Sequence, residues 1–206
     1  MELARFSHFS DEDLWQHLRE GDESSLSHLY HRYRDPLYHY ALKITGDAEM
    51  ALNGLQNLFV QLWQSRQKLS EARSVKAYLF ISLRRLLLQD MQRDRRYVLQ
   101  MDQWASLRTD LVFSPEEIVI LDERSQLKKE YVAQLLNNLT PRQREIVYLK
   151  YYESLSLQEI ADTLDINYQS VINHLNRAFL KLKGSATPEQ LSELLYAVGF
   201  MMLASW

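Results

Sequence analysis

The stretch SLQEIADTLDINYQSVINHLNRAF, Ser156 to Phe179, carries two helix starts in close succession. Ser156 is a capping residue with Glu159 three positions on, the pattern in which each side chain satisfies the other's free backbone N–H. Leu155 before the cap and Ile160 after it have the spacing of a hydrophobic staple. A first helix burying Ile160, Ala161 and Leu164 is expected. The turn LDIN follows. Asn167 caps a second helix, and Ile166 with Val171 repeats the staple. Val171, Leu175, Ala178 and Leu182 fall on one side of that helix. Gln169, Ser170, Asn173, Asn176 and Arg177 fall on the other.

A short helix, a tight turn and a longer helix have the geometry of a helix-turn-helix. Amides, hydroxyls and a guanidinium on the outer face are groups that hydrogen-bond base edges in a major groove. An ordinary antiparallel helix pair in a bundle is the plainer alternative. Arg177 is the only basic residue on the outer face, so binding needs charge from elsewhere. Upstream, LTPRQREIVYLKYYESLS opens with Thr140, Pro141 and Gln143, another capped start. Arg142 and Arg144 sit near that helix N-terminus, where free N–H groups favour a phosphate. Lys150, Lys181 and Lys183 add further charge.

Outward from this stretch, the rest of the chain reads as helix. Its 206 residues include only five Gly and four Pro, and apolar residues recur three and four apart. The expected fold class is all-α: two small helical domains and a linker, the second a helix-turn-helix domain, plus a C-terminal helix. The first domain is assigned to residues 10–98, the linker to 99–125, the second domain to 126–183 and an apolar helix to 187–206. There is no cysteine, which excludes disulfides and thiolate–zinc sites. The N-terminus has acids where a signal peptide has an apolar core, and the C-terminal LLYAVGFMMLASW is too short to span a bilayer. Cytoplasmic localisation without membrane insertion is therefore expected. The net charge of −3 confines any nucleic-acid site to a local patch.

In the first domain, AEMALNGLQNLFVQLW places Ala51, Leu55, Leu58 and Leu62 on one stripe, flanked by Phe59 and Trp63. The helix from Ser74 to Arg96 places Ala77, Phe80, Ile81, Arg84 and Leu88 at helical spacing. Its end is basic: Arg84, Arg85, Arg93, Arg95 and Arg96 stand against Asp90 and Asp94. A solvated helix end is one reading, favoured by the dipole. A phosphate-contacting patch beside Tyr78, Phe80 and Tyr97, which could stack on unpaired bases, is the other.

The stretch from Leu139 to Leu182 resembles the C-terminal DNA-binding domain of bacterial sigma factors, specifically the extracytoplasmic-function group. DLWQHLREGDESSLSHLYHRYRDPLYHYALKITGD, AEMALNGLQNLFVQLWQ and SVKAYLFISLRRLLLQDMQRDRR resemble the N-terminal domain of the same group. The resemblance covers about residues 10–183. It implies a protein with no catalytic site, cofactor, metal or small-molecule substrate, which docks on core RNA polymerase and reads two promoter elements. Arg142, Arg144, Gln169, Ser170, Asn173 and Arg177 would meet the upstream element as duplex. Arg84, Arg85, Arg93, Arg95 and Arg96 would meet the melted downstream element. Gln56, Phe59 and Trp63 would face the polymerase, and an anti-sigma factor is a further partner of such a protein.

The sequence departs from the family at several of these positions. Leu52-Asn53 and Asn57 stand where members carry acids. Arg84 or Arg85 replaces a family asparagine, and Ile172 replaces a basic residue. Ser154 and Asp165 occupy the usual glycine positions of the second domain. Weaker, less salt-sensitive docking on the polymerase is expected. Two other readings stay open: a helix-turn-helix regulator acting without polymerase, and a degenerate sigma-like protein-binding module. The tail, with Leu191, Leu194, Leu195, Val198 and Met202, is expected to pack on the second domain.

Overall fold

The computed structural model describes residues 9–98, 111–118 and 126–185, and the chain divides into two units at Thr109–Asp110. The tail from residue 186 lies outside the described residues, and so does the expectation for it. Among the described residues there is helix but no strand.

The first unit holds α1 (Asp11–Glu20), α2 (Glu23–Thr45), α3 (Ala48–Ser65) and α4 (Val75–Val98). Side chains fix each start. Ser10 and Asp13 form a reciprocal box at α1. Asp22 accepts from the Ser24 and Ser25 amides and from the Ser25 hydroxyl. Those donors, the hydroxyl first, hold its carboxyl below the ordinary range. Asp47 takes the Met50 amide at α3, and Ser74 takes the Ala77 amide at α4. Gly21 and Gly46 end α1 and α2 in the left-handed conformation, with φ of 98° and 67°.

The core of this unit is built from Leu14, Leu18, Leu29, Leu37, Tyr40, Leu55, Leu58, Leu79, Phe80, Leu83 and Leu87. On α4 the buried stripe differs from the expected one. Leu79, Leu83 and Leu87 are buried, while Ile81 and Leu88 are only half-buried. Ala77, Phe80 and Arg84 are buried as expected, and α4 packs closely on α3 at a glycine. A Cβ on Gly54 would stand 2.4 Å from Leu87 Cδ2. The loop between α3 and α4 is held from α1: the Trp15 indole donates to the Ser70 carbonyl at 3.0 Å, and Arg19 Nε to the Leu69 carbonyl at 2.9 Å.

The second unit holds α5 (Gln126–Asn137), α6 (Pro141–Val147), α7 (Leu157–Leu164) and α8 (Tyr168–Ser185). α6 runs into a wider π turn over Tyr148–Tyr152. Its core comprises Val132, Leu136, Ile146, Leu149, Leu155, Ile160, Leu164, Val171, Ala178 and Leu182. Leu175, expected in the stripe, is half-buried.

Residues 111–118 were expected within the linker, and here the structure corrects the boundary. Leu111, Phe113 and Ile118 are buried, and Ser114–Glu117 makes a capped 3-10 turn. The Asn137 side chain holds both backbone groups of Phe113, accepting from its N–H at 2.8 Å and donating to its carbonyl at 2.9 Å. The Phe113 ring lies against Tyr148 and Tyr152, which stack on each other. The apolar residues of this segment thus belong to the second core.

Gly54→Ala sets two effects against each other. Alanine favours helix by roughly 1 kcal/mol, but overpacking costs about 1–3 kcal/mol. Leu87 has no exposed surface into which to move. The expected result is a net loss of stability, read as a lower urea midpoint. Leu87→Ala should then cost less in that background than in the wild type, the sign of direct coupling.

Candidate nucleic-acid interface

The helix-turn-helix is built as its caps dictate. The Ser156 hydroxyl accepts from the Glu159 amide, and the Glu159 carboxylate accepts from the Ser156 amide at 2.7 Å. Leu155 and Ile160 are both buried. α7 ends at Asp165 in the left-handed conformation, with φ 54° and ψ 50°. Asn167 then accepts from the Ser170 amide at 2.7 Å and starts α8. Among the described residues, Asp165 and Ser154 are the non-glycine residues of positive φ, each at 54°. They are the two positions that the resemblance singles out as glycine sites.

The phase of α8 decides what it presents. Val171, Ala178 and Leu182 face inward, and Gln169, Asn173, Asn176 and Arg177 are exposed, with Ser170 half-buried. Gln169 Nε2 donates to Asn173 Oδ1 at 3.2 Å. His174 stands between the outer face and α6. Its pKa is lowered, first by burial and then by the charges of Arg142 and Arg177. Arg142 of α6 and Arg177 of α8 thus both weigh against a charge on His174. Arg142 also lies 3.5 Å from Glu145, which its neighbours bury.

Three of the other cations expected here are engaged elsewhere, while Lys183 is exposed. Arg144 is buried, and its guanidinium donates to the Asn137 carbonyl at 2.9 Å. Lys181 donates to the Asn138 carbonyl, and Lys150 lies 3.5 Å from the Leu155 carbonyl. The end of α5 has carbonyls without helical partners, and cations suit that end of the dipole. Arg144 therefore leaves the set of candidate phosphate contacts.

In the first unit the arginines separate. Arg84 is buried, with 9% of its surface exposed. Arg85 is exposed and opens on a groove of about 220 Å³ between α3 and α4, which Tyr78, Gln61, Ser65, Ser82 and Gln89 also line. Arg93 is exposed, 3.8 Å from Asp90, and lines a second cleft with Asn53 and Asn57. The side chains of Arg95 and Arg96 lie outside the described residues. Arg84, Arg85 and Arg93 thus do not make one patch. Tyr78, one of the aromatics expected beside the patch, meets Trp15 edge-on and lines the Arg85 groove.

On α3, Gln56 is exposed and Phe59 is buried, its ring edge-on to Tyr30. Phe59 and Trp63 line a cleft of about 350 Å³ with Leu26 and Tyr30 of α2. Arg66 lies over the Trp63 ring at 4.0 Å. Leu52 and Val60, one turn either side of Gln56, are 44% and 52% exposed.

Two family models match this chain: sigma-70 region 2 over residues 29–97 and sigma-70 region 4 over residues 129–182. Similar proteins include the ECF RNA polymerase sigma factor SigL of Mycobacterium tuberculosis, 28% identical over 156 residues, 75% of this chain and 85% of the relative. RNA polymerase sigma factor YlaC of Bacillus subtilis is 24% identical over 170 residues, 82% of this chain and 96% of the relative. Among solved structures, CnrH in complex with the cytosolic domain of CnrY matches with a TM-score of 0.56 at 19% identity, covering 85% of this chain and 96% of that one. The sigma factor RpoE in complex with the anti-sigma factor NepR from Bartonella quintana matches with the same TM-score and identity, covering 80% and 95%. Those two likenesses bear on the fold.

An all-helical chain with these two regions in this order is a transcription initiation factor rather than an enzyme. The chain belongs to the sigma-70 family of RNA polymerase sigma factors, in its extracytoplasmic-function group. Its partners are core RNA polymerase and promoter DNA. Among the described residues, no helix is long and apolar enough to cross a membrane.

His174 gives a test of its surroundings. Its pKa in the fold lies below the ordinary histidine value, so below about pH 6.5 the unfolded chain takes up the proton first. The stability present above that pH is lost as the pH falls through the folded value. His174→Gln should lose less stability than the wild type when denaturant midpoints at about pH 7.5 and about pH 5.5 are compared.

Proposed function

We propose that the two units divide promoter contact between them, with the residues assigned as follows. The outer face of α8 meets the upstream element as duplex through Gln169, Ser170, Asn173 and Arg177, and Arg142 grips the adjoining phosphates. The observation that supports this reading is the exposed amide face of α8, opposite the buried Val171, Ala178 and Leu182, with α6 and its half-buried Arg142 packed against the same helix. Base edges and phosphates flank each other in duplex DNA, and this surface offers matching groups side by side.

In the first unit, the groove of Arg85 and Tyr78 receives the melted downstream strand. An aromatic ring, a cation and several amides and hydroxyls suit an unpaired base and its phosphate. Arg93, and with it Arg95 and Arg96, supplies backbone charge farther along α4. The exposed ridge of α3 docks on core polymerase. Leu52, Gln56 and Val60 lie one turn apart there, with Trp63 beside them, so this ridge is apolar and amide-bearing where relatives carry acids. Contact through such a ridge depends less on ion pairs and is less screened by salt. A thinly charged reader helix then suffices, because polymerase docking and a second DNA contact raise the effective concentration of each site at the other. The protein works in the cytoplasm, and an anti-sigma factor, the class of partner bound to RpoE, restrains it.

Run-off transcription with core polymerase over a pool of genomic DNA tests the whole reading. Added chain should yield discrete new transcripts. Arg177→Ala should weaken upstream-element binding by about 1–3 kcal/mol while leaving the thermal midpoint in place. Unchanged promoter binding by this variant would move the reading surface away from α8.

The α3 ridge has its own test. Leu52→Ser and Val60→Ser should each weaken core binding by roughly 1 kcal/mol, since exposed apolar anchors carry much of an interface's energy. The affinity of the wild type for core polymerase should vary little across a salt series. A steep salt dependence would return docking to charged groups.

A further inference from the structure

Resting on the reading of α8 as the DNA-facing helix, we infer that Gln169 and Asn173 act as one coupled reader of two adjacent adenine–thymine pairs in the upstream element. The pair occupies the first turn and a half of α8, which begins at Tyr168. In helix-turn-helix proteins the N-terminal residues of the second helix reach the base edges. Both side chains are exposed and one turn apart, and they are bonded to each other at 3.2 Å.

The chemistry of the base edges selects among the four pairs. Guanine offers two acceptors to the major groove and is read by Arg or Lys. Adenine offers an acceptor at N7 and a donor at N6, which Asn and Gln match with both their groups. From Tyr168 to Asn176 there is no Arg or Lys. Arg177 lies nine positions into the helix, about 13 Å along its axis, and would meet a base well beyond those opposite the first turn. A guanine opposite the first turn would find no cation to read it.

The bond between the amides sharpens this. Gln169 gives one N–H to Asn173 and keeps its carbonyl oxygen and a second N–H. Asn173 accepts that bond on one lone pair and keeps another, with both of its N–H groups. Each residue is left with one acceptor and at least one donor, the complement of an adenine. Tying the side chains together also removes rotamer freedom before DNA arrives, so less is lost on binding. Ile172, half-buried beside them, adds an apolar surface of the kind that touches a thymine methyl group. The pair is coupled because removing either amide frees the other to turn.

The test is a binding-site selection from DNA randomised across the upstream element, using the full chain assembled with core polymerase. The wild type should enrich adenine–thymine at two neighbouring positions, with discrimination of at least about fivefold at each. Gln169→Ala and Asn173→Ala should each relax both positions. Arg177→Ala should lower recovery and leave the preference at these two positions intact. Enrichment of guanine–cytosine there, or an unaltered preference in both alanine variants, would overturn the pair's role. A wild-type pool that stays random at all positions would instead overturn the reading of α8 beneath it.

Discussion

The first backbone N–H groups of every α-helix have no partner within it, and in this chain their satisfaction sets the register of everything that follows. There are no disulfides to hold the segments. α6 and α7 have only seven and eight residues, too short to persist alone. They stand because Thr140 with Gln143, and Ser156 with Glu159, close their starts, and because Ile146, Ile160 and Leu164 are buried beneath. The same constraint reaches the function through Asn167, which accepts the Ser170 amide and starts α8 at the turn. Val171, Ala178 and Leu182, buried beneath, set its phase, so Gln169, Asn173 and Arg177 look outward.

Helix starts of this kind were legible in the sequence because capping is local: donor and acceptor are three residues apart, and the residue types are few. The amide face of α8 was legible for the same reason, as the complement of an apolar stripe. The arginines were not. Arg144 and Arg142 are two residues apart and equally cationic, yet one is buried and turned to the Asn137 carbonyl and the other is half-buried beside Glu145. What separates them is the end of α5, seven residues before Arg144 and across a turn, whose carbonyl takes the guanidinium. Arg84 and Arg85 differ because the first lies on the apolar stripe of α4 with Ala77 and Phe80, and the second opens on the groove with α3. The holding of the α3–α4 loop by Trp15 and Arg19 spans some fifty residues and leaves no pattern in the sequence.

Ser154 and Asp165 bear on how tightly the second unit is specified. An L-residue in the left-handed region costs roughly 1–2 kcal/mol, somewhat less for aspartate. Both keep that conformation. On either side, Leu155, Ile160 and Leu164 are fixed in the core, so the turn is imposed by its surroundings rather than chosen by its own residue. The family's glycines ease a geometry that the packing of α7 requires in any case.

The tie between α5 and α8 has a mechanical consequence. Lys181 is held at Asn138 and Ser185 at Tyr131, so the end of α8 runs antiparallel along α5. The outgoing chain therefore leaves at the opposite end of the helix from the turn proposed to read DNA, about 27 Å away for eighteen residues. A pull on that chain loads the Tyr131 and Lys181 ties one after the other, as in the opening of a zipper. Gln169 and Asn173 are the last residues of α8 to feel it, and a load hung from the end of the helix leaves the reading turn in place until both ties have parted.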